Sequence, residues 1–206
     1  MMKLVIVRYR AGNAVSIQYA LERLGVSAKW TNDPGAIRAA DGVIFPGQGE
    51  ASGAMEDLKQ TGLEDVLRSL EQPFLGICLG LQLMCKATEE GPVDTLNLLP
   101  ERVRRFPEAP QPVPHMGWNQ MAVLEHDPLL KGLGNKDWFY YVHSYYAETG
   151  SDTLASCSYN GVEFSAVLRR GKHWAVQFHP EKSATSGQQL LENFLQICRA
   201  ESTVRV

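Results

Sequence analysis

The chain has 206 residues, is 44% hydrophobic and 21% charged, and carries a net charge of −3. That length fits one domain spanning 1–206, able to bury roughly 70% of its unfolded surface. No basic run offers the electrostatic footprint of nucleic-acid or anionic-membrane binding. The N-terminal "MMKLVIVRYRAGN" holds one short apolar run, too short for a secretory signal or a membrane span. Cys78, Cys85, Cys157 and Cys198 are scattered, with no CxxC pair to suggest zinc. A cytosolic protein with reduced thiols is therefore expected.

In chain order, "KLVIVRY" (3–9) is an apolar run of strand length. "AVSIQYALERLG" (14–25) has helical spacing, with Gly25 as its stop. "VSAKWT" (26–31) reads as a weaker strand, and "DPGAIRAAD" (33–41) as a short helix opened by Asp-Pro. "GVIFPG" (42–47) is a buried strand, and "GLEDVLRSLEQ" (62–72) is a helix halted by Pro73. "PFLGIC" (73–78) is a fourth strand, and "LGLQLMCKAT" (79–88) begins a helix. This alternation predicts an α/β fold: a mainly parallel central sheet with helices on both faces. From about Arg102 to Arg170 the chain is rich in proline and aromatic residues. "WFYYVHSYYA" (138–147) and "TLASCSY" (153–159) are strand-like, and Asn160-Gly161 suits a hairpin turn. Antiparallel strands are expected to extend the sheet. "HWAVQFHPE" (173–181) reads as a last strand ending in a polar loop, and "GQQLLENFLQICRA" (187–200) as an amphipathic helix.

The chemistry gathers where strand 73–78 meets its helix. In open α/β sheets, function collects at the carboxyl ends of strands. Gly76-Ile77-Cys78-Leu79-Gly80 has the form of a nucleophile elbow with cysteine in the serine's place. Such a turn strains the nucleophile's dihedrals, and side chains at Gly76 or Gly80 would collide with nearby backbone. At a helix start Cys78 favours thiolate, and Leu79 N–H is left to donate to an oxyanion. The blander alternative is a buried cysteine in a tight corner. In "QFHPEKS", His179 and Glu181 are two apart, so extended backbone sends both side chains to one side. Glu181 can then orient the imidazole while His179 serves the thiol as base. In "FPGQGEAS", Gly47 and Gly49 flank Gln48, so a peptide there can rotate and aim an N–H at developing charge. Gln82 lies one helical turn after Cys78, either as a satisfied core residue or as a ligand for a polar substrate.

Together these residues resemble the class I (triad) glutamine amidotransferases, from about Leu4 to Cys198. "GICLGLQLM", "PGQGEA", "PHMGWN", "YYVHSYY" and "QFHPEKS" carry the likeness. The last four are similar to the branch that serves histidine biosynthesis. The resemblance implies that Cys78, His179 and Glu181 hydrolyse L-glutamine to glutamate and ammonia. It implies oxyanion donors at Leu79 and in the Gly47-Gln48-Gly49 loop. Gly49, Gln82 and the backbone of His143, Ser144 and Tyr145 would hold the amino-acid end of glutamine. It implies no metal and no organic cofactor. It also implies a heterodimer in which ammonia passes to a (β/α)₈ synthase subunit, with Asn13, Trp118, Tyr140 and Lys182 near that interface. Two departures stand out. The first strand–helix turn reads "RYRAGN", with Arg8 and Arg10 where the family has an acidic residue and glycine. The oxyanion loop carries Gln48 where valine is commonest. The alternatives are a glutaminase for another acceptor (chorismate or the pyridoxal phosphate pathway) and a non-catalytic module on the same fold.

Overall fold

The first half of the chain alternates strand and helix, as its apolar periodicity requires. In the computed structural model, which describes residues 2–12, 14–91, 93–108 and 110–204, the first elements are β1 (Leu4–Val7), α1 (Val15–Arg23), β2 (Ala28–Thr31), α2 (Pro34–Arg38) and β3 (Gly42–Phe45). Next come α3 (Ala51–Gln60), α4 (Leu63–Arg68), β4 (Phe74–Ile77), α5 (Leu79–Met84), β5 (Ala87–Thr88) and β6 (Arg102–Arg105). The remainder is β7 (His115–Gln120), β8 (Ala122–Val123), β9 (Trp138–His143), β10 (Tyr145–Ala147), β11 (Thr153–Tyr159), β12 (Val162–Arg170), β13 (His173–Val176) and α6 (Ala184–Val204).

Local chemistry sets several boundaries. Gly25, at φ +72°, ends α1: its N–H donates to the Glu22 carbonyl (2.9 Å), and that of Val26 to Leu21 (3.0 Å). The Asp33 carboxylate caps α2 by accepting from Ala36 N–H at 2.6 Å, with Pro34 at the first helical position. Asn160 (φ 52°) and Gly161 (φ 72°) both take positive φ between β11 and β12, as a tight hairpin turn demands. Helix α3 was not among the expected elements. Its signal was present: Glu50 caps it, and Ala51, Ala54, Met55 and Leu58 bury one face. The glycines around it read as loop.

The main sheet runs β2-β1-β3-β4-β13-β12-β11-β8. Its pairings from β2 through β13 are parallel, and those from β13 to β8 antiparallel. The expected extension holds for residues 153–170. Residues 138–147 do otherwise. They divide at Ser144 into β9, paired with β7, and β10, in a small sheet with β6 and β5. The reason is a competing partner beyond β13. His179 N–H donates to the Tyr140 carbonyl (2.9 Å) and Tyr140 N–H to Ser183 Oγ (2.9 Å), so β9 is tied to the segment carrying His179.

Side chains alternate across the parallel strands. Leu4, Ile6, Ile44, Leu75 and Ile77 pack with Ile17 and Leu21 of α1 and Leu190 and Phe194 of α6. Val5, Val7, Val43, Phe45 and Phe74 pack on the other face with Ile37, Met55, Leu58, Leu67 and Leu81. Two apolar layers thus clamp the sheet and fix where its strand ends emerge.

The crossing of β3 with the start of α5 is very close. A Cβ on Gly80 would overlap the Phe45 carbonyl oxygen, a backbone atom that cannot swing aside. A Cβ on Gly76 would meet Met84 Sδ at 2.5 Å and Gly80 backbone at 3.0 Å. Gly80→Ala should therefore cost about 3 kcal/mol or more, at the upper end of overpacking penalties. A denaturant midpoint equal to that of the unsubstituted chain would contradict this.

Candidate active site

Cys78 sits at the carboxyl end of β4, between strand and helix. Its backbone takes φ 55° and ψ −109°, a region L-residues rarely occupy. The Cys78 N–H donates to the Val176 carbonyl (2.8 Å), so β13 holds one side of the turn while Gly80 presses against β3 on the other. The elbow is built by the sheet. Leu79 opens α5, where first-turn N–H groups lack intrahelical partners.

The segment after β13 supplies the second part. His179 Nδ1 lies 2.8 Å from Glu181 Oε1, and both side chains are buried. Burial opposes the imidazolium, but the Cys78 sulfur and the Glu181 carboxylate, each through charge and hydrogen bonding, outweigh it and raise His179 to about 10. The cationic ring thus has a partner on each side. Gln177, fully buried on the same strand extension, donates from Nε2 towards Cys78 Sγ at 3.9 Å. Its Oε1 accepts from Gln82 Nε2 at 3.3 Å.

The third part is the loop after β3. A Cβ on Gly47 would meet Tyr9 Oη at 2.7 Å, Leu79 Cβ at 2.8 Å and Gly80 N at 2.9 Å, so only glycine lets this loop lie against the elbow. Tyr9 Oη also donates to the Pro46 carbonyl at 2.7 Å. Gly49 takes φ +101°. The N–H of Gln48 is already engaged, donating to the Ala11 carbonyl at 2.8 Å.

Cys78, His179 and Gln48 line one pocket of about 430 Å³, together with Gly49, Leu79, Gln82, Pro114, Ser144 and Tyr145, a size suited to a small polar metabolite. Gln82, on α5, donates from Nε2 to the Tyr145 carbonyl at 2.9 Å. His143, Ser144 and Tyr145 form one stretch of the pocket wall. Of the residues named for a partner surface, Trp118 is half exposed and stands edge-on to Tyr140, with Lys182 Nζ 6.0 Å from the Tyr140 ring centroid. Asn13 lies outside the described residues. Among the described residues, no cluster of three His, Cys, Asp or Glu side chains is placed to hold a metal, and no helix is long and apolar enough to cross a membrane.

Sequence reasoning passed over two residues. Gln177 could have been found, since the alternation that pairs His179 with Glu181 also puts Gln177 on their side. His115 could not: it reaches His143, at 3.1 Å, across 28 positions of sequence. Burial pushes His115 down to about 4. Burial, aided by the neighbouring His115 and His179, takes His143 down to about 3. Unfolded imidazoles protonate near 6.5, so below that the unfolded chain binds more protons than the native one. The contribution of this histidine pair to stability should be full above pH 6.5 and fall as pH drops towards 4. Urea midpoints across that window should fall less steeply for His115→Phe, and identical slopes would refute the assignment.

A cysteine on a strained strand–helix turn, with a carboxylate-oriented histidine at the neighbouring strand's end, is an arrangement on an α/β sheet able to carry out acyl transfer. Residues 7–198 match the family described as glutamine amidotransferase class-I, and the chain belongs to that family. Within it, the chain is 46% identical over 200 residues to "Imidazole glycerol phosphate synthase subunit HisH" of Bacteroides fragilis, covering 95% of this chain and 100% of that one. It is 40% identical over 196 residues to the protein of the same name from Pasteurella multocida, covering 95% and 98%. A crystal structure of a glutamine amidotransferase superposes with a TM-score of 0.73 at 24% identity, covering 95% of this chain and 98% of that one, a likeness of fold.

Proposed function

We propose that the chain is the glutaminase subunit of an imidazole glycerol phosphate synthase. The observation that carries this is the meeting of Cys78 and His179 at one pocket, with Glu181 hydrogen-bonded to the imidazole, in a chain so similar to those relatives. Cys78 Sγ attacks the side-chain amide carbon of L-glutamine, its proton having already passed to His179, which Glu181 orients and which then delivers that proton to the leaving nitrogen. Ammonia departs, leaving a γ-glutamyl thioester. Water, deprotonated by His179, then cleaves the thioester to glutamate and frees the thiol. Leu79 N–H is one oxyanion donor, and a peptide N–H of Gly47-Gln48-Gly49 is the other once it turns inward. Gln82 has its amide nitrogen committed to Tyr145 and Gln177, so its carbonyl oxygen is left to receive the substrate ammonium.

The ammonia goes to a (β/α)₈ synthase subunit, which combines it with a phosphorylated ribulosyl intermediate in histidine biosynthesis. Support for a docked partner is the apolar face of β7 and β9 beside the pocket, where Met116, Trp118 and Trp138 are each at least half exposed. Four buried free cysteines fit a reducing, cytosolic setting. The test is co-expression with the barrel subunit. A co-purifying heterodimer that forms imidazole glycerol phosphate from glutamine is expected. Two subunits that elute apart and never couple glutamine to product would refute the assignment.

A further inference from the structure

The buried histidines behind the pocket form a chain of hydrogen bonds whose direction is fully determined. His143 Nδ1 lies 2.7 Å from the Tyr145 carbonyl oxygen, which only accepts, so Nδ1 carries the proton. In the neutral ring Nε2 is then an acceptor, and His115 Nδ1, 3.1 Å away, must donate to it. His115 Nε2 is left to accept, and Asn119 Nδ2 approaches it at 3.4 Å. The Asn119 amide is itself oriented, since Nδ2 also donates to the Ser158 carbonyl (3.1 Å) and Oδ1 accepts from Gln120 N–H (2.8 Å). Each link dictates the next.

The surroundings leave little play. His115 is stacked between Tyr141 and Tyr159, with centroids at 4.8 Å and 4.0 Å and planes within 22° of parallel. His143 packs against Phe106 and Phe164. Burial keeps both rings neutral, as the directed chain requires. At the far end, the Tyr145 carbonyl receives two donors, His143 Nδ1 and Gln82 Nε2, and Gln82 leads on through Gln177 to the sulfur.

We propose that His115 is a positioning residue for the glutaminase reaction: the chain Asn119–His115–His143 holds the Tyr145 carbonyl, and through it Gln82 and the 143–145 wall, in register for glutamine. This rests on the glutaminase reading above. The residue touches no substrate and acts through His143. Its loss therefore weakens substrate binding more than it slows the bond-breaking steps.

The experiment uses the heterodimer with the synthase partner's ligand present. His115→Phe keeps the ring and removes the donor to His143; KM for glutamine should rise about tenfold, as expected for one lost hydrogen bond with its partner left buried, with kcat within about threefold. His115→Asn puts an amide N–H where Nδ1 was and should recover most of that loss. Nitrogen-15 spectra of the unsubstituted protein supply a readout independent of variant folding: both rings should be the Nδ1–H tautomer. The opposite tautomer at either ring would overturn the proposal. So would an unchanged KM in His115→Phe, or equal defects in the Phe and Asn variants, while the unsubstituted complex hydrolyses glutamine normally. No glutamate from the unsubstituted complex would instead overturn the glutaminase reading, and this proposal with it.

Discussion

Cys78→Ser removes glutamine hydrolysis, lowering glutamate release by about 10⁴- to 10⁶-fold, the range seen when a triad nucleophile is lost. The substitution is conservative in shape and leaves the elbow's positive φ to the same backbone contacts, so the fold should survive. What changes is the acid. A thiol gives up its proton to a neighbouring imidazole far more readily than a serine hydroxyl in the same place does. His179 is raised by the sulfur and by Glu181 together, so losing the sulfur also lowers the ring's hold on its proton. Synthesis by the heterodimer from added ammonium should persist, because the substitution does not touch the partner's chemistry. Residual glutaminase activity within tenfold of normal would sink the assignment of Cys78 as nucleophile.

Docking the synthase partner with its ligand bound should raise glutamate release by roughly 10²- to 10³-fold, the typical worth of one oxyanion donor. The physical basis is the bond from Gln48 N–H to the Ala11 carbonyl, 2.8 Å long. While it persists, that N–H cannot serve an oxyanion. Gly47 and Gly49 on either side give the loop the freedom to exchange one partner for another, and the turn's other anchor, Tyr9 to Pro46, can remain in place. The partner need only favour the rotated form by about 3–4 kcal/mol to give such a rise. The measurement is glutamate release by the isolated chain, by the heterodimer, and by the heterodimer with ligand. Rapid hydrolysis by the isolated chain, indifferent to either addition, would show that the loop is no gate.

The parallel half of the fold was legible because β1, β3 and β4 are buried on both faces and its helices on one. Those patterns differ in period, and this distinguishes β1 to β4 from α1, α2 and α4. The hairpin at Asn160-Gly161 was legible for a different reason: two consecutive positive φ values need that dipeptide chemistry. Helix α3 escaped because Gly47, Gly49 and Gly53 surround its start, and glycine is ambiguous between loop and close packing. The split of 138–147 escaped because its alternation suits a strand in any sheet. Which sheet it joined depended on the Tyr140 pairing with His179, a contact no local pattern encodes.

For the site, the local motifs carried the nucleophile, its glycines and the His179–Glu181 spacing, since each is a constraint on neighbours two or four positions apart. Local sequence determined what each piece is able to do: a thiol on an elbow, an imidazole beside a carboxylate, a loop free to turn. Tertiary structure alone decided that these pieces gather around one pocket, that Gln48 N–H is held by Ala11, and that His115, stacked between two tyrosines, hydrogen-bonds His143. The physical reason is that hydrogen bonds and side-chain packing act over a few ångströms of space without regard to chain separation. Only burial of both faces of the sheet brings such distant groups within that range.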